Sequence, residues 1–221
     1  MNTLQLLLAS GSPRRRELLT LIGLPFAVAR PDIDETPTAG EPADQYVMRL
    51  SREKSLAIAS SDGLIVTADT TVAAPSDNPI DKSEAAEIIG KPADAQEATA
   101  ILQRLRGRAH MVYTGVTLRH VDSSTTISST TTLTSTQVIM RDYSDAEIAQ
   151  YVASGEPFDK AGSYGIQSAI FRSVLRIEGC YANVMGLPLC TLCHMLTAQG
   201  VTVPQPVACD PAHNQCIAGS A

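Results

Sequence analysis

The chain has no tryptophan and three phenylalanines, and aromatic residues make up 4% of its 221 residues. Its core must therefore rest on Leu, Ile, Val and Ala. It also lacks any excess of basic charge, since 17 Lys and Arg stand against 23 Asp and Glu for a formal net charge of −6. A protein that grips nucleic acid over a general basic surface draws most of its binding free energy from neutralised phosphates, so that class is excluded. Any anionic ligand has to meet a local cluster of cations instead. No stretch approaches the roughly 20 apolar residues of a membrane helix, which excludes a membrane partner of that kind. The apolar run Leu4–Ala9 has no basic segment ahead of it and turns polar too early for a secretory signal, so the expected compartment is cytoplasmic. The five cysteines are odd in number and crowd the C-terminal end, unlike a disulfide framework spread over a secreted domain. There is no P-loop, dinucleotide fingerprint, HExxH or GxSxG, so a phosphate site here must be of another design.

What is present is enough apolar residue for one large domain or two closely joined lobes, the hydrophobic share being 44%. Leu4–Ala9 reads as a buried strand ending in the tight turn Ser-Gly-Ser-Pro. A helix then starts with Ser12 as N-cap and Pro13 in the first position, shows Leu18, Leu19 and Ile22 on one face, and stops at Gly23. Phe26–Ala29 reads as a short strand and 31–42 as an acidic, Pro-rich loop. Residues 43–60 form an amphipathic helix with Val47, Leu50, Ala57 and Ile58 on its apolar face. Leu64–Ala68 is another strand, and 74–92 reads as a long surface excursion. A helix over 94–106 follows, then a hairpin of 110–118 and 125–140, with a disordered Thr-rich insert as the alternative for its second arm. Ser144 caps a short helix to Ser154, 171–177 is a strand, and 187–198 is the last helix. Strands alternating with helices plus one hairpin predict a mixed α/β sheet. Beyond residue 200 the periodicity ends, and a flexible tail over 200–221 is expected.

Five features bear on candidate chemistry. Arg14, Arg15 and Arg16 fall in the first turn of their helix, where the positive end of the macrodipole disfavours cations; a bound phosphate would offset this, as would simple solvation. Asp69 interrupts the apolar run GLIVTADTTVAA, and a carboxylate there needs a partner or a cleft at the strand end. Near a phosphate site it could hold a divalent metal or take a proton from water. Lys54 lies four residues from both Leu50 and Ile58, on the apolar side of its helix, where it either snorkels or points into a cleft. Lys91 sits between Gly90 and Pro92 on a rigid turn. Cys190-Thr-Leu-Cys193-His194 has haem-attachment spacing, and Cys209, His213 and Cys216 could add metal ligands. The first group falls in the helical pattern LPLCTLCHML, where small apolar residues pack well, so core packing is the preferred reading.

Taken together, LASGSPRRRELL (8–19), ADTTV (68–72), GKP (90–92), YVASGEPFDKAGSYGIQ (151–167) and GLPL (186–189) resemble the Maf family of nucleoside triphosphate pyrophosphatases. The resemblance covers residues 3–198 and implies a domain over 1–199 with two lobes around a deep cleft, of the inosine-triphosphate-pyrophosphatase type. It implies Asp69 as proton acceptor or metal-linked carboxylate, with Mg²⁺ or Mn²⁺ as cofactor. Arg14, Thr70 and Gln167 fall where the family sets substrate preference, and Ser10, Arg15, Glu35, Lys54, Lys91 and Lys160 match other polar cleft positions. DKAGSYGIQ and the Arg after Ser-Pro resemble the dTTP/UTP branch. An amide such as that of Gln167 offers a donor and an acceptor to a pyrimidine edge. The implied activity is hydrolysis of dTTP and UTP to the monophosphate and pyrophosphate. The alternatives are a pyrophosphatase for modified purine or 7-methyl-GTP nucleotides, a non-catalytic nucleotide-binding regulator of cell division, and a metal or redox protein built on the C-terminal Cys and His. A homodimer is left open. The stretch from Val72 to Gly90 is longer than the family pattern, which loosens the register of Lys91 against Asp69.

Overall fold

The computed structural model describes residues 5–58, 62–75 and 86–204. Its elements run β1 (Leu6–Ala9), α1 (Pro13–Thr20), β2 (Phe26–Ala29), α2 (Ala43–Leu56), β3 (Gly63–Ala74), β4 (Glu87–Ile89), α3 (Ala95–Leu105), β5 (Ala109–Asp122), β6 (Thr125–Met140), α4 (Asp145–Ala153), β7 (Val174–Glu178), α5 (Tyr181–Val184) and α6 (Leu189–Ala198), with two 3-10 turns at Glu156–Asp159 and Ala161–Ser163. The strands make one mixed sheet in the order β2-β1-β3-β5-β6-β7, with β4 added beside β3. Among the described residues, β1 pairs in parallel with β2 and β3, and the other pairings are antiparallel. A mixed α/β sheet flanked by helices is thus the fold class.

Helix boundaries follow local chemistry. The Ser12 side chain accepts from the Arg15 backbone N–H, and Pro13 occupies the first turn of α1, where its missing N–H costs nothing. At α4, Ser144 and Glu147 form a reciprocal capping box. The β5–β6 connection is a two-residue turn with Ser123 and Ser124 both at positive φ (48° and 64°), the geometry that matches strand twist in a hairpin. The Thr-rich run is therefore strand β6, paired along its length with β5, and not a disordered insert.

Several boundaries differ from the sequence reading, β5 running on to Asp122 and α6 starting at Leu189 among them. β3 continues through Asp69 to Ala74, because the polar residues that mask its pattern are buried with partners: the Thr67 hydroxyl donates to the Ser51 carbonyl at 2.6 Å. Part of the expected surface excursion, Glu87–Ile89, is strand β4, while 76–85 lie outside the described residues. β7 begins at Val174, since the Ser168 hydroxyl accepts the Phe171 N–H and holds the preceding residues in a turn. α2 ends at Leu56, so Ala57 is exposed instead of lying on the apolar face. Nearly all of the expected tail lies outside the described residues, which end at 204.

Apolar residues pack in clusters along the sheet. One joins Leu8, Leu18, Leu19, Val66, Ala68, Val116, Leu192 and Leu196 beneath α1 and α6, with Cys190 and Cys193 packed against it. Another joins Val72, Leu102, Leu105, Val112, Met140, Tyr143, Ile148 and Phe171 beneath α3 and α4. Among the described residues no helix is long and apolar enough to cross a membrane.

Candidate active site

The site arises from a gap in the sheet. One edge of β3 is taken by β5 over residues 63–73. The other is shared, with β1 pairing at Leu64–Val66 and β4 at Val72–Ala74. Between these short strands, Thr67 to Thr71 have no strand partner on that edge among the described residues, and a cleft of about 570 Å³ opens there. Asp69 stands at the middle of the gap. It is therefore not at a strand end, as expected, but at an interruption in the partner strands. Because alternate residues of a strand face opposite ways, Asp69 points toward α2 and Thr70 toward α1 and α5. Both line the cleft.

On the α2 side, Asp69 is 6% exposed and Lys54 7%, and the Lys54 ammonium lies 2.5 Å from Asp69 Oδ1. The same ammonium reaches Glu35 Oε1 at 2.7 Å from the loop after β2. Gly115 makes this approach possible. It pairs with Asp69 across β3 and β5, and a Cβ on it would fall 2.5 Å from the Val47 carbonyl oxygen, so glycine lets α2 lie against the sheet beside Asp69. Burial pushes the Asp69 carboxyl above its ordinary range, opposed by the charges of Lys54 and Arg15. For half-exposed Glu35, partial desolvation is outweighed by the hydrogen bond and charge of Lys54, and its carboxyl falls below the ordinary value. Tyr46, two turns before Lys54, donates its hydroxyl to the Glu35 carbonyl at 2.8 Å and is pushed up to about 12 by burial and by the nearby carboxylates.

On the opposite side, Arg15 Nε donates to the Gly186 carbonyl at 2.8 Å and Nη2 to the Thr70 hydroxyl at 3.1 Å. Desolvation lowers its proton affinity, with Asp69 and Glu35 acting against this. The Ser10 hydroxyl accepts the Ser12 N–H at 3.2 Å and shapes the turn into α1. Arg14 donates to the Asp159 carbonyl at 3.2 Å, and Lys160 contacts the Asp159 carboxylate at 2.6 Å. Lys91 is exposed on the rim. Continuing the β3–β4 register from Val72↔Ile89 brings it level with Thr70, and the Gly162 N–H bonded to the Gly90 carbonyl at 3.0 Å ties its turn to the Lys160 segment. The register that was loose in the sequence is fixed by these contacts.

Of the sequence candidates, Ser10, Arg14, Arg15, Glu35, Lys54, Asp69, Thr70, Lys91 and Lys160 all line the cleft. Gln167 does not; it is exposed three residues beyond Tyr164, which does. Sequence reasoning missed Arg30, Tyr46, Asp159 and Gly186. Tyr46 was findable, because it continues the four-residue ladder of Leu50 and Lys54 on the inner face of α2. A hard divalent cation takes oxygen ligands, often one or two carboxylates plus substrate phosphate oxygens. The donor set fits such an ion, since Asp69 and Glu35 converge on a single positive charge. Among the described residues no group of three or more His, Cys, Asp or Glu is arranged to hold a metal without substrate.

The family model described as Maf-like protein matches residues 5–199. The dTTP/UTP pyrophosphatase of Myxococcus xanthus is 46% identical over 203 residues, covering 90% of this chain and 94% of that protein. The dTTP/UTP pyrophosphatase of Hahella chejuensis is 42% identical over 204 residues, covering 90% and 94%. Among solved structures, the Staphylococcus aureus Ham1 protein aligns over 88% of this chain and 99% of its own at 10% identity and a TM-score of 0.44.

Proposed function

The chain belongs to the Maf-like protein family, and from that premise we propose that it is a nucleoside triphosphate pyrophosphatase acting on dTTP and UTP. The observation that carries this reading is the buried Asp69 in the sheet gap, with Lys54 and Glu35 on one side and the Arg15–Thr70 pair on the other. A triphosphate laid along the cleft meets Arg14, Arg15, Lys91 and Lys160, all on its walls. This is the local cation cluster that an acidic protein needs for an anionic substrate.

In the proposed reaction water attacks the α-phosphorus, the bond from that phosphorus to the bridging oxygen breaks, and the electron pair leaves with pyrophosphate. Asp69 accepts the proton of the attacking water, a task suited to a carboxylate whose proton affinity is raised by burial. Arg14, Arg15 and Lys91 meet the charge that builds on the leaving group. Lys54 holds Asp69 and Glu35 together and keeps two carboxylates from repelling one another. Asp69 and Glu35 would hold Mg²⁺ or Mn²⁺, which supplies charge neutralisation on the triphosphate when bound. Thr70, beside Arg15 on the cleft wall, is assigned to substrate choice, whereas Gln167, exposed and off the cleft wall, is not.

The test is pyrophosphate release from canonical and modified nucleoside triphosphates with each divalent cation. The expected result is preferred turnover of dTTP and UTP with pyrophosphate, not orthophosphate, as product. Much faster turnover of modified purine triphosphates would overturn the substrate assignment, and orthophosphate as first product would overturn the reaction.

A further inference from the structure

Arg15 is held by a ring of hydrogen bonds in which Arg15, Thr70 and Gly186 line the cleft and Thr114 and Asn183 lie buried behind them. Its Nη2 donates to the Thr70 hydroxyl at 3.1 Å, and Thr70 lies 2.9 Å from the hydroxyl of Thr114, its register partner on β5. Thr114 is fully buried, and its Oγ1 donates to the Asn183 carbonyl at 3.1 Å. A hydroxyl has one proton, and Thr114 spends its own on the Asn183 carbonyl. Thr70 accepts from Arg15 and has its proton for Thr114 at 2.9 Å, with the Gly186 carbonyl at 3.5 Å as the longer alternative.

The second half of the ring closes through the backbone. The Asn183 carbonyl also accepts the Gly186 N–H at 2.9 Å, and the Gly186 carbonyl accepts Arg15 Nε at 2.8 Å. Gly186 is at φ +106°, and a Cβ there would lie 3.3 Å from the Thr70 hydroxyl oxygen, so this close approach suits glycine. Asn183 is itself stapled down, its Nδ2 donating to the Val112 carbonyl at 3.1 Å and to the Thr136 hydroxyl at 2.9 Å. Both branches that orient the guanidinium thus start from one buried carbonyl.

We propose that Thr114 and Asn183 are positioning residues for the reaction, aiming the Arg15 fork at the phosphates of the substrate through Thr70 and Gly186. Neither residue lines the cleft side chain to ligand, so neither is a catalytic residue. The ligand in this inference rests on the pyrophosphatase reading, whereas the geometry does not. Removing the Thr114 hydroxyl takes away the nearer acceptor of the Thr70 proton and leaves the Gly186 carbonyl, which Arg15 Nε also uses, so Thr70 turns and its hold on the fork is loosened.

The experiment measures kcat/KM for dTTP and, by calorimetry, affinity for inorganic pyrophosphate in wild type, Thr114→Val, Thr114→Ser, Arg15→Lys and the Thr114→Val/Arg15→Lys double variant. Thr114→Val keeps the shape and loses the hydroxyl, and both quantities should fall roughly tenfold, the scale of one buried hydrogen bond. Thr114→Ser should restore them to within about twofold on the same scale. Once the fork is gone, Thr114→Val should add less than about twofold, since a residue that acts through Arg15 has nothing left to position. Equal losses in both backgrounds, a Ser variant as weak as Val, or wild-type protein that does not bind pyrophosphate would each overturn the proposal. If Thr114→Val does not fold, Thr114→Ala against Thr114→Ser makes the same comparison. Wild type that binds pyrophosphate but hydrolyses no triphosphate sinks the functional reading alone, and the affinity cycle still decides the ring.

Discussion

The two faces of β3 meet the cleft with different chemistry. Toward α2, Asp69, Lys54 and Glu35 form a charged triad, with two members buried and carboxylates outnumbering the cation. Toward α1 and α5, Thr70, Thr114, Gly186 and the Asn183 backbone offer neutral groups to one cation, Arg15. A charged group held by other charges changes its protonation and its partners easily, while a set of neutral hydrogen bonds holds a direction. The first face is therefore suited to reaction and the second to grip. A single strand can serve both because its partner strands β1 and β4 leave Thr67–Thr71 uncovered.

The comparison can be broken by variants on either face. The largest effect belongs to Asp69→Asn, which keeps the side-chain size and removes the charge; turnover of dTTP should fall by roughly 10²–10⁴, the span of general-base catalysis, as read by pyrophosphate release. Next is Lys54→Met. It leaves a buried carboxylate without its cation and should cost about 3–5 kcal/mol in denaturant unfolding, whereas Lys54→Met with Asp69→Asn should recover much of that loss. A smaller effect comes from His110, remote from the charged triad. Its Nε2 faces the Tyr164 hydroxyl at 2.7 Å, its buried Nδ1 has no hydrogen-bond partner among the described residues, and burial depresses it to about 4. Because the folded value lies below the ordinary 6.5, the unfolded chain takes up the proton first. Stability is complete above about pH 6.5 and drains as pH falls toward about 4, by at most about 3 kcal/mol, and His110→Phe should flatten that part of the pH curve of melting temperature.

Legibility in the sequence followed the same division. Elements set by local chemistry could be read: the Ser12–Pro13 start of α1, the Ser144–Glu147 box, and the hairpin that makes the Thr-rich run a strand. The inward Lys54 was visible because helical spacing fixes which way a side chain points. What escaped reading depends on distant partners. Sequence alone ends β3 at Ala68 because Asp69 and Thr71 look like an exit from the core, yet both are buried, with Asp69 bonded to Lys54. β4 has three residues, and its place is set by pairing with β3. Asn183 and Gly186 sit in a short helix and turn whose role appears only when Thr114 and Arg15 are brought against them.

Strand β3 places reaction on one face and grip on the other. The direct test is to measure kcat and KM for dTTP in Asp69→Asn and Thr70→Val side by side, with melting curves to establish that both are folded. The account predicts that Asp69→Asn loses kcat with KM little changed, and that Thr70→Val loses chiefly KM. Near wild-type kcat in folded Asp69→Asn would contradict it.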